Sequence, residues 1–243
     1  MALLLVALLS LSGGLCQSIT GFGSAIIMMM LMPELFPINT AAGITALICC
    51  PLGIYITYRY RKAFKLKIVL LPVVLFSFSS YLAVNISLHV NTNGLKVVFG
   101  CLLILLAIYF FLFSDRISIK PSILSAVICS SLAGLMGGLF AIGGPLLVLY
   151  FLTITESKEE YMVSVNATLF LTNICQTLSR VNAGILKFSE IPAICVGICG
   201  ITVGCIIGSK IADRINIDVM KRIIYAFLVV SGILTILNAI AIL

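Results

Sequence analysis

Three amide side chains fall on one helical face in the second half of the chain. Asn166 and Asn173 are seven residues apart, and Asn173 and Gln176 three apart. Those spacings bring side chains to one side of a helix. Their neighbours are apolar, and amides in such a setting either line a polar path or join one helix to another. Two glycine-containing breaks, Thr20-Gly21-Phe22-Gly23-Ser24 and Ala141-Ile142-Gly143-Gly144-Pro145, interrupt other apolar stretches. Glycine permits positive φ and proline suits the first turn of a helix, so each break can end one helix and open another. A helix that opens inside a protein aims unpaired N–H groups inward from the positive end of its dipole. Such an end binds an anion without a charged side chain. Ser24 and Pro145 are the expected first residues of the two new helices. Gln17, Ser18, Thr20, Thr45 and Thr168 offer further hydroxyl and amide groups. Gly21, Gly23, Gly138, Gly143 and Gly144 would let an anion approach the backbone.

Each feature also has a plainer reading. Glycines in apolar helices often serve close packing, the ordinary role for Gly13 and Gly134. Serines there often bond the preceding turn, as expected for Ser10, Ser77, Ser79, Ser80, Ser130 and Ser131. For Arg59 and Arg180 the ordinary reading is snorkelling at the membrane interface, and the functional one is attraction of anions to opposite mouths. His89 reads as an interfacial histidine rather than a proton relay.

These residues are positioned by an unusually apolar chain. Apolar residues make up 62 % of it and charged residues 9 %, against about 25 % charged in a soluble domain. Fifteen basic and eight acidic side chains cannot cover a globular surface spread over 243 residues. This excludes a soluble enzyme, a disordered tail and a secreted disulfide scaffold, and leaves an all-α polytopic membrane protein. The net charge of +7 reads as cytoplasmic loops. With no stacking platform beside a basic groove, no nucleic-acid partner is expected. Most of the nine cysteines, among them Cys49, Cys101, Cys129, Cys175 and Cys205, sit inside apolar runs, where Cys acts as a small hydrophobe. No CxxC pair, metal site or cofactor motif is present. The N-terminal stretch to Cys16 lacks a basic start and reads as a retained membrane segment.

Eight apolar blocks can be drawn, at 2–32, 40–58, 68–88, 95–113, 122–154, 161–179, 190–209 and 222–242. Six suit the ~20 residues that cross a bilayer. The first and fifth are too long: a continuous helix of either would run about 48 Å, against a hydrocarbon core of about 30 Å. Each holds one glycine break near its middle. It is therefore either one tilted, broken span or a re-entrant hairpin of two half-helices. Basic residues separate these readings. With Arg59 to Lys67 placed inside, eight crossings leave six basic residues outside, whereas two hairpins leave only Lys96, Arg180 and Lys187. The positive-inside rule favours hairpins.

The halves resemble each other at an offset of 121 residues. Gly23 lies over Gly144, Ala46 over Ala167 and Arg59 over Arg180. Residues 1–113 and 121–243 thus form two four-segment repeats. A hairpin plus three spans is an odd number of crossings, so the second repeat would be inverted, with a site near the midplane.

A duplicated set of segments, each opening with a glycine-broken helix, resembles the sulfite exporter TauE/SafE family. The resemblance rests on Ser10 to Ser24, Ser131 to Pro145, Ala42-Gly43-Ile44-Thr45, Tyr58-Arg59-Tyr60-Arg61, Val165-Asn166-Ala167-Thr168 and Arg180-Val181-Asn182-Ala183-Gly184. It implies an integral transporter of sulfite, sulfonates, sulfoacetate or thiosulfate. The first break is poorer in glycine and lacks a proline, and Asn166 stands where the first repeat has Thr45.

No carboxylate falls within an apolar block's centre, which disfavours cation pumps and channels with acidic rings. An enzyme is not expected, since the one His has no fitting nucleophile and the HExxH and GxSxG patterns are absent. The expectation is a multi-pass protein of the cytoplasmic membrane that moves a small anion. An anion channel and a non-transporting membrane partner subunit are the alternatives, and a homo-oligomer stays open.

Overall fold

The computed structural model describes residues 2–113, 122–211 and 233. Among these residues the chain is helical and has no strand. The helices are α1 (Ala2–Thr20), α2 (Ser24–Met29), α3 (Met32–Leu35), α4 (Ile38–Arg59), α5 (Leu66–Ser87), α6 (Thr92–Phe113), α7 (Ile123–Phe140), α8 (Gly144–Ile154), α9 (Lys158–Asn182) and α10 (Ile191–Ile211). Short 3₁₀ turns cover Arg61–Ala63 and Phe188–Glu190. Each of the first seven apolar blocks corresponds to these helices with ends shifted by no more than three residues. The eighth block, apart from Ile233, lies outside the described residues, as do Asp115, Arg116, Lys120, Asp213, Arg214, Asp218, Lys221 and Arg222.

Among the described residues, five helical segments are long and apolar enough to cross a membrane: Ala2–Thr20, Ile38–Arg59, Leu66–Ser87, Ile123–Phe140 and Phe188–Lys210. This is the architecture of a multi-pass membrane protein. Helix α9 has 25 residues but falls outside that group. Its polar side chains point into the protein, where Asn166, Thr168, Thr172, Asn173, Gln176 and Arg180 are all buried. Its apolar Leu171, Ile174, Leu178 and Val181 are exposed. The helix is turned inside out relative to one in water.

Close glycine contacts fix the helix directions. A Cβ on Gly200 would lie 2.6 Å from the Ala7 carbonyl oxygen, and one on Gly208 would lie 2.9 Å from that of Leu15. Helices α1 and α10 therefore run parallel at close range. Gly134 meets Phe76 and Ser79, and Gly138 meets Ser80 and Ala83, so α5 and α7 also run parallel. Gly53 meets Phe170 and Gly43 meets Arg180, so α4 and α9 run antiparallel.

Both long blocks are broken where the glycines stand. Gly21 and Gly23 take φ of 86° and 104°, beyond the reach of an L side chain without strain. After the first break the chain reverses: Ser24 lies against Gly13, and Met28 against Ser10. At the second break α7 ends in Ala141, a non-glycine residue at φ 59°, whose N–H donates to the Gly137 carbonyl at 2.8 Å. The next helix opens at Gly144, one residue before the expected Pro145, which occupies its first turn.

Expectations for Arg180 and for several serines need correction, whereas that for Arg59 holds. Arg59 is exposed, near Tyr55 and over the Tyr60 ring, as snorkelling requires. Arg180 does not snorkel: only 1 % of it is exposed. Ser10 bonds the Val6 carbonyl as expected, at 2.7 Å. The Ser77, Ser80 and Ser130 hydroxyls are buried without a hydrogen-bond partner.

Candidate functional site

The two breaks meet. A Cβ at Gly144 would lie 3.5 Å from the Phe22 Cβ, so the tip of the first break packs on the opening of α8. One cavity lies between them. Gln17, Gly23 and Ser24 line it from the first break, and Ala141, Ile142, Gly144 and Pro145 from the second. The walls are completed from the middle of α4 by Cys49 and Gly53, and from the middle of α9 by Leu169, Phe170 and Asn173. Its water-accessible volume is about 20 Å³, room for one water. The cavity is thus narrower than a polyatomic anion needs.

Both returning helices open at this cavity, α2 at Ser24 and α8 at Gly144. The first-turn N–H groups of a helix have no partner within it. Helix α8, with eleven residues, carries the larger dipole. Helix α2 has only six and adds little beyond its first-turn amides.

A hydrogen-bonded cluster holds the first break in place. Gln17 Nε2 donates to Asn166 Oδ1 at 2.8 Å, and the Ser24 hydroxyl donates to Gln17 Oε1. Asn166 Nδ2 donates to the Gly21 carbonyl at 3.1 Å and to that of Met162 at 2.9 Å. The Tyr161 hydroxyl donates to the Thr20 carbonyl at 3.1 Å. The start of α9 therefore grips the reversal in α1, and every hydrogen-bonding atom of the Asn166 amide is engaged. The Ser24 hydroxyl also lies 3.1 Å from the Cys49 sulfur.

The remaining predicted residues divide. Asn173 is on the cavity wall, and Gln176 stands next to it, its Nε2 at 3.5 Å from Asn173 Oδ1. Thr20 donates across the break to the Phe22 carbonyl at 2.7 Å and does not line the cavity. Ser18 turns to α10, with its hydroxyl on the Leu15 carbonyl and its side chain against Gly208. Thr168 bonds the Ser164 carbonyl at 2.8 Å. Thr45 is fully buried with an unpartnered hydroxyl, away from the cavity. Gly143 packs on Phe76, and Gly138 on α5. Sequence spacing missed Cys49, Gly53 and Phe170, which carry no polar signal. It named Arg180 but placed it at the interface; the only signal of its inward position is that it stands four residues beyond Gln176 on the amide face.

A family model described as Sulfite exporter TauE/SafE matches residues 5–235. The chain belongs to the sulfite exporter TauE/SafE family. No curated protein and no solved structure matches it. As a TauE/SafE protein it is a membrane transporter by family, which suits its apolar helices and an internal cavity walled by helix ends. In this TauE/SafE chain the family match runs through both breaks and all ten described helices.

Proposed function

We propose that this protein carries a small sulfur-containing or carboxylated oxyanion, of sulfite, sulfonate, sulfoacetate or thiosulfate type, across the cytoplasmic membrane. The anion binds in the cavity between the two breaks. The observation that carries this reading is that Ser24 and Gly144, the openings of the two returning helices, line the same cavity. Neutral amides and two helix openings favour a negative guest over a cation. Gln17, Ser24 and Asn173 supply side-chain dipoles to its oxygens. The cavity must widen to admit such an anion.

The architecture we infer is an inverted pair of repeats, residues 1–113 and 121–243, each opening with a re-entrant hairpin. Exchanging the halves turns α1 into α7, α4 into α9 and α5 into α10. It turns the parallel pair α1–α10 into the parallel pair α7–α5. The pair α4–α9 maps onto itself and is antiparallel, which fits inverted halves and not parallel ones. A second support is the ion pair of Lys65 Nζ with Glu160 Oε1 at 2.7 Å. It joins the loop before α5 to the first turn of α9 on one side of the bundle. Hairpins put these two places together, whereas eight crossings put them on opposite sides. Inverted repeats that rock about a midplane site are a common basis of alternating access.

Flux into vesicles tests the proposal, with sulfite, thiosulfate, sulfoacetate and taurine as the panel. Uptake or competition by at least one anion is expected. If none of them moves or competes, the transport reading fails.

A further inference from the structure

Arg180 is the one buried cation among the described residues, and no carboxylate among them lies within 4 Å of it. The side chain is nonetheless held in place. Its Nη2 donates to the Gly138 carbonyl at 2.6 Å, and its Nη1 to Gln176 Oε1 at 3.3 Å. Gly43 leaves room for the stem, since a Cβ there would lie 3.0 Å from Arg180 Cδ. These bonds use two of the five guanidinium N–H groups. They solvate the charge but leave it without a counter-ion among the described residues.

An unpaired charge inside an apolar bundle is costly, and such residues mark ion pathways. The direction of the path is given by α9. Asn173 on the cavity wall, then Gln176, then Arg180, stand three and four residues apart on one face. Helix geometry puts Arg180 about 10 Å beyond Asn173 toward the end of the helix. Long helical side chains lean toward the helix N-terminus, which brings the guanidinium back toward Gln176 and the cavity. The matching arginine of the other half, Arg59, is exposed and has Tyr55 where Arg180 has Gln176. Among the described residues, only one of the two ends of the bundle therefore has an internal cation.

We propose that Arg180, with Gln176 and Asn173, forms a second anion-binding station between the central cavity and the mouth at the end of α9. This rests on the transport reading above and adds a residue and a position to it. A planar guanidinium matches two oxygens of one sulfite, sulfonate or carboxylate group. The anion takes the N–H groups now donated to Gly138 and Gln176, and so loosens α9 from α7 as it passes.

The test is sulfite uptake with purified protein in vesicles, comparing wild type, Arg180→Gln, Arg180→Lys and Arg59→Gln. Thermal melting of each reports folding. Arg180→Gln is expected to raise KM at least tenfold. Arg180→Lys, which keeps the charge but not the fork, should fall between it and wild type. Arg59→Gln, which removes an equal charge at the exposed end, should stay within twofold. A purely structural Arg180 would lower the amount of folded protein and leave KM alone. Equal KM in wild type and Arg180→Gln overturns the station but not transport. If Arg180→Gln does not fold, a wild-type KM in Arg180→Lys overturns it instead. A wild type that takes up no anion overturns both.

Discussion

Gln17 Nε2 and Asn166 Oδ1 lie 2.8 Å apart although 149 residues separate them in the chain. The bond joins the last turn of α1 to the first half of α9, across the two halves of the molecule. The Ser24 hydroxyl continues it to the opening of α2. The first wall of the cavity therefore depends on a residue of the second half.

Removing either amide should loosen the first break. Double-mutant cycles on buried polar pairs in membrane proteins give a coupling of about 0.6 kcal/mol, reaching about 1.7. The Gln17→Ala and Asn166→Ala pair should fall within that range, because the bond between them is short and buried. Unfolding of the four cycle members in mixed micelles measures it, and strict additivity would show that the bond contributes nothing.

Topology is open to thiol labelling in a background cleared of reactive native cysteines. The exposed Lys187 replaced by Cys should react with an impermeant reagent from outside intact cells. Cys at the exposed Lys158 or Lys210 should react only after permeabilisation. The opposite pattern removes the hairpin architecture.

The Lys65–Glu160 ion pair predicts a pH window. Lys65 holds the Glu160 carboxyl below its ordinary 4.5, and Glu160 holds the Lys65 ammonium above its ordinary 10.5. The Glu156 N–H also donates to Glu160, at 3.2 Å. A lowered acid pKa stabilises the fold above the ordinary value and loses that effect as pH falls through the folded one. A raised lysine pKa stabilises below its ordinary value and loses the effect as pH rises through the folded one. Wild type should thus melt above Glu160→Gln across about pH 5 to 10, and the gap should close on both sides. A gap that is the same at pH 3 as at pH 7 would separate it from this pair.

Glycines differ sharply in what they tolerate. A Cβ at Gly204 would overlap the Leu11 carbonyl, so Gly204→Ala must push α1 from α10. Overpacking of this kind costs about 1–3 kcal/mol. At Gly94 the nearest atom to an added Cβ is 4.0 Å away, and the residue is in α6. Gly94→Ala should stabilise by about 0.5–1 kcal/mol. Melting temperatures of the two variants check the contrast, and equal shifts would contradict the packing described.

Much of the fold was readable from residue order. Apolar runs of bilayer length, separated by loops holding most of the charges, leave helices as the only way to satisfy the backbone. The two overlong runs with glycine in the middle announced the interruptions, because no single helix of that length fits the hydrocarbon. The amide face of α9 was visible as a spacing of seven and three. The offset of 121 residues suggested a repeat, and the basic loops suggested which blocks turn back.

Other features depended on which helix stands against which. Sequence spacing orders side chains around one helix but carries no information on its neighbours. It could not tell that Asn166 spends its amide on Gln17 and Gly21 while Asn173 faces the cavity. Nor could it tell Arg59 from Arg180, two arginines at equivalent positions. Arg180 is buried because Gly43 on α4 clears space for its stem and the Gly138 carbonyl on α7 receives its N–H. Both come from distant parts of the chain. Local pattern settles where a helix begins and which side is polar; only tertiary packing decides what that side touches, because desolvation and hydrogen bonding act between elements brought together by the fold.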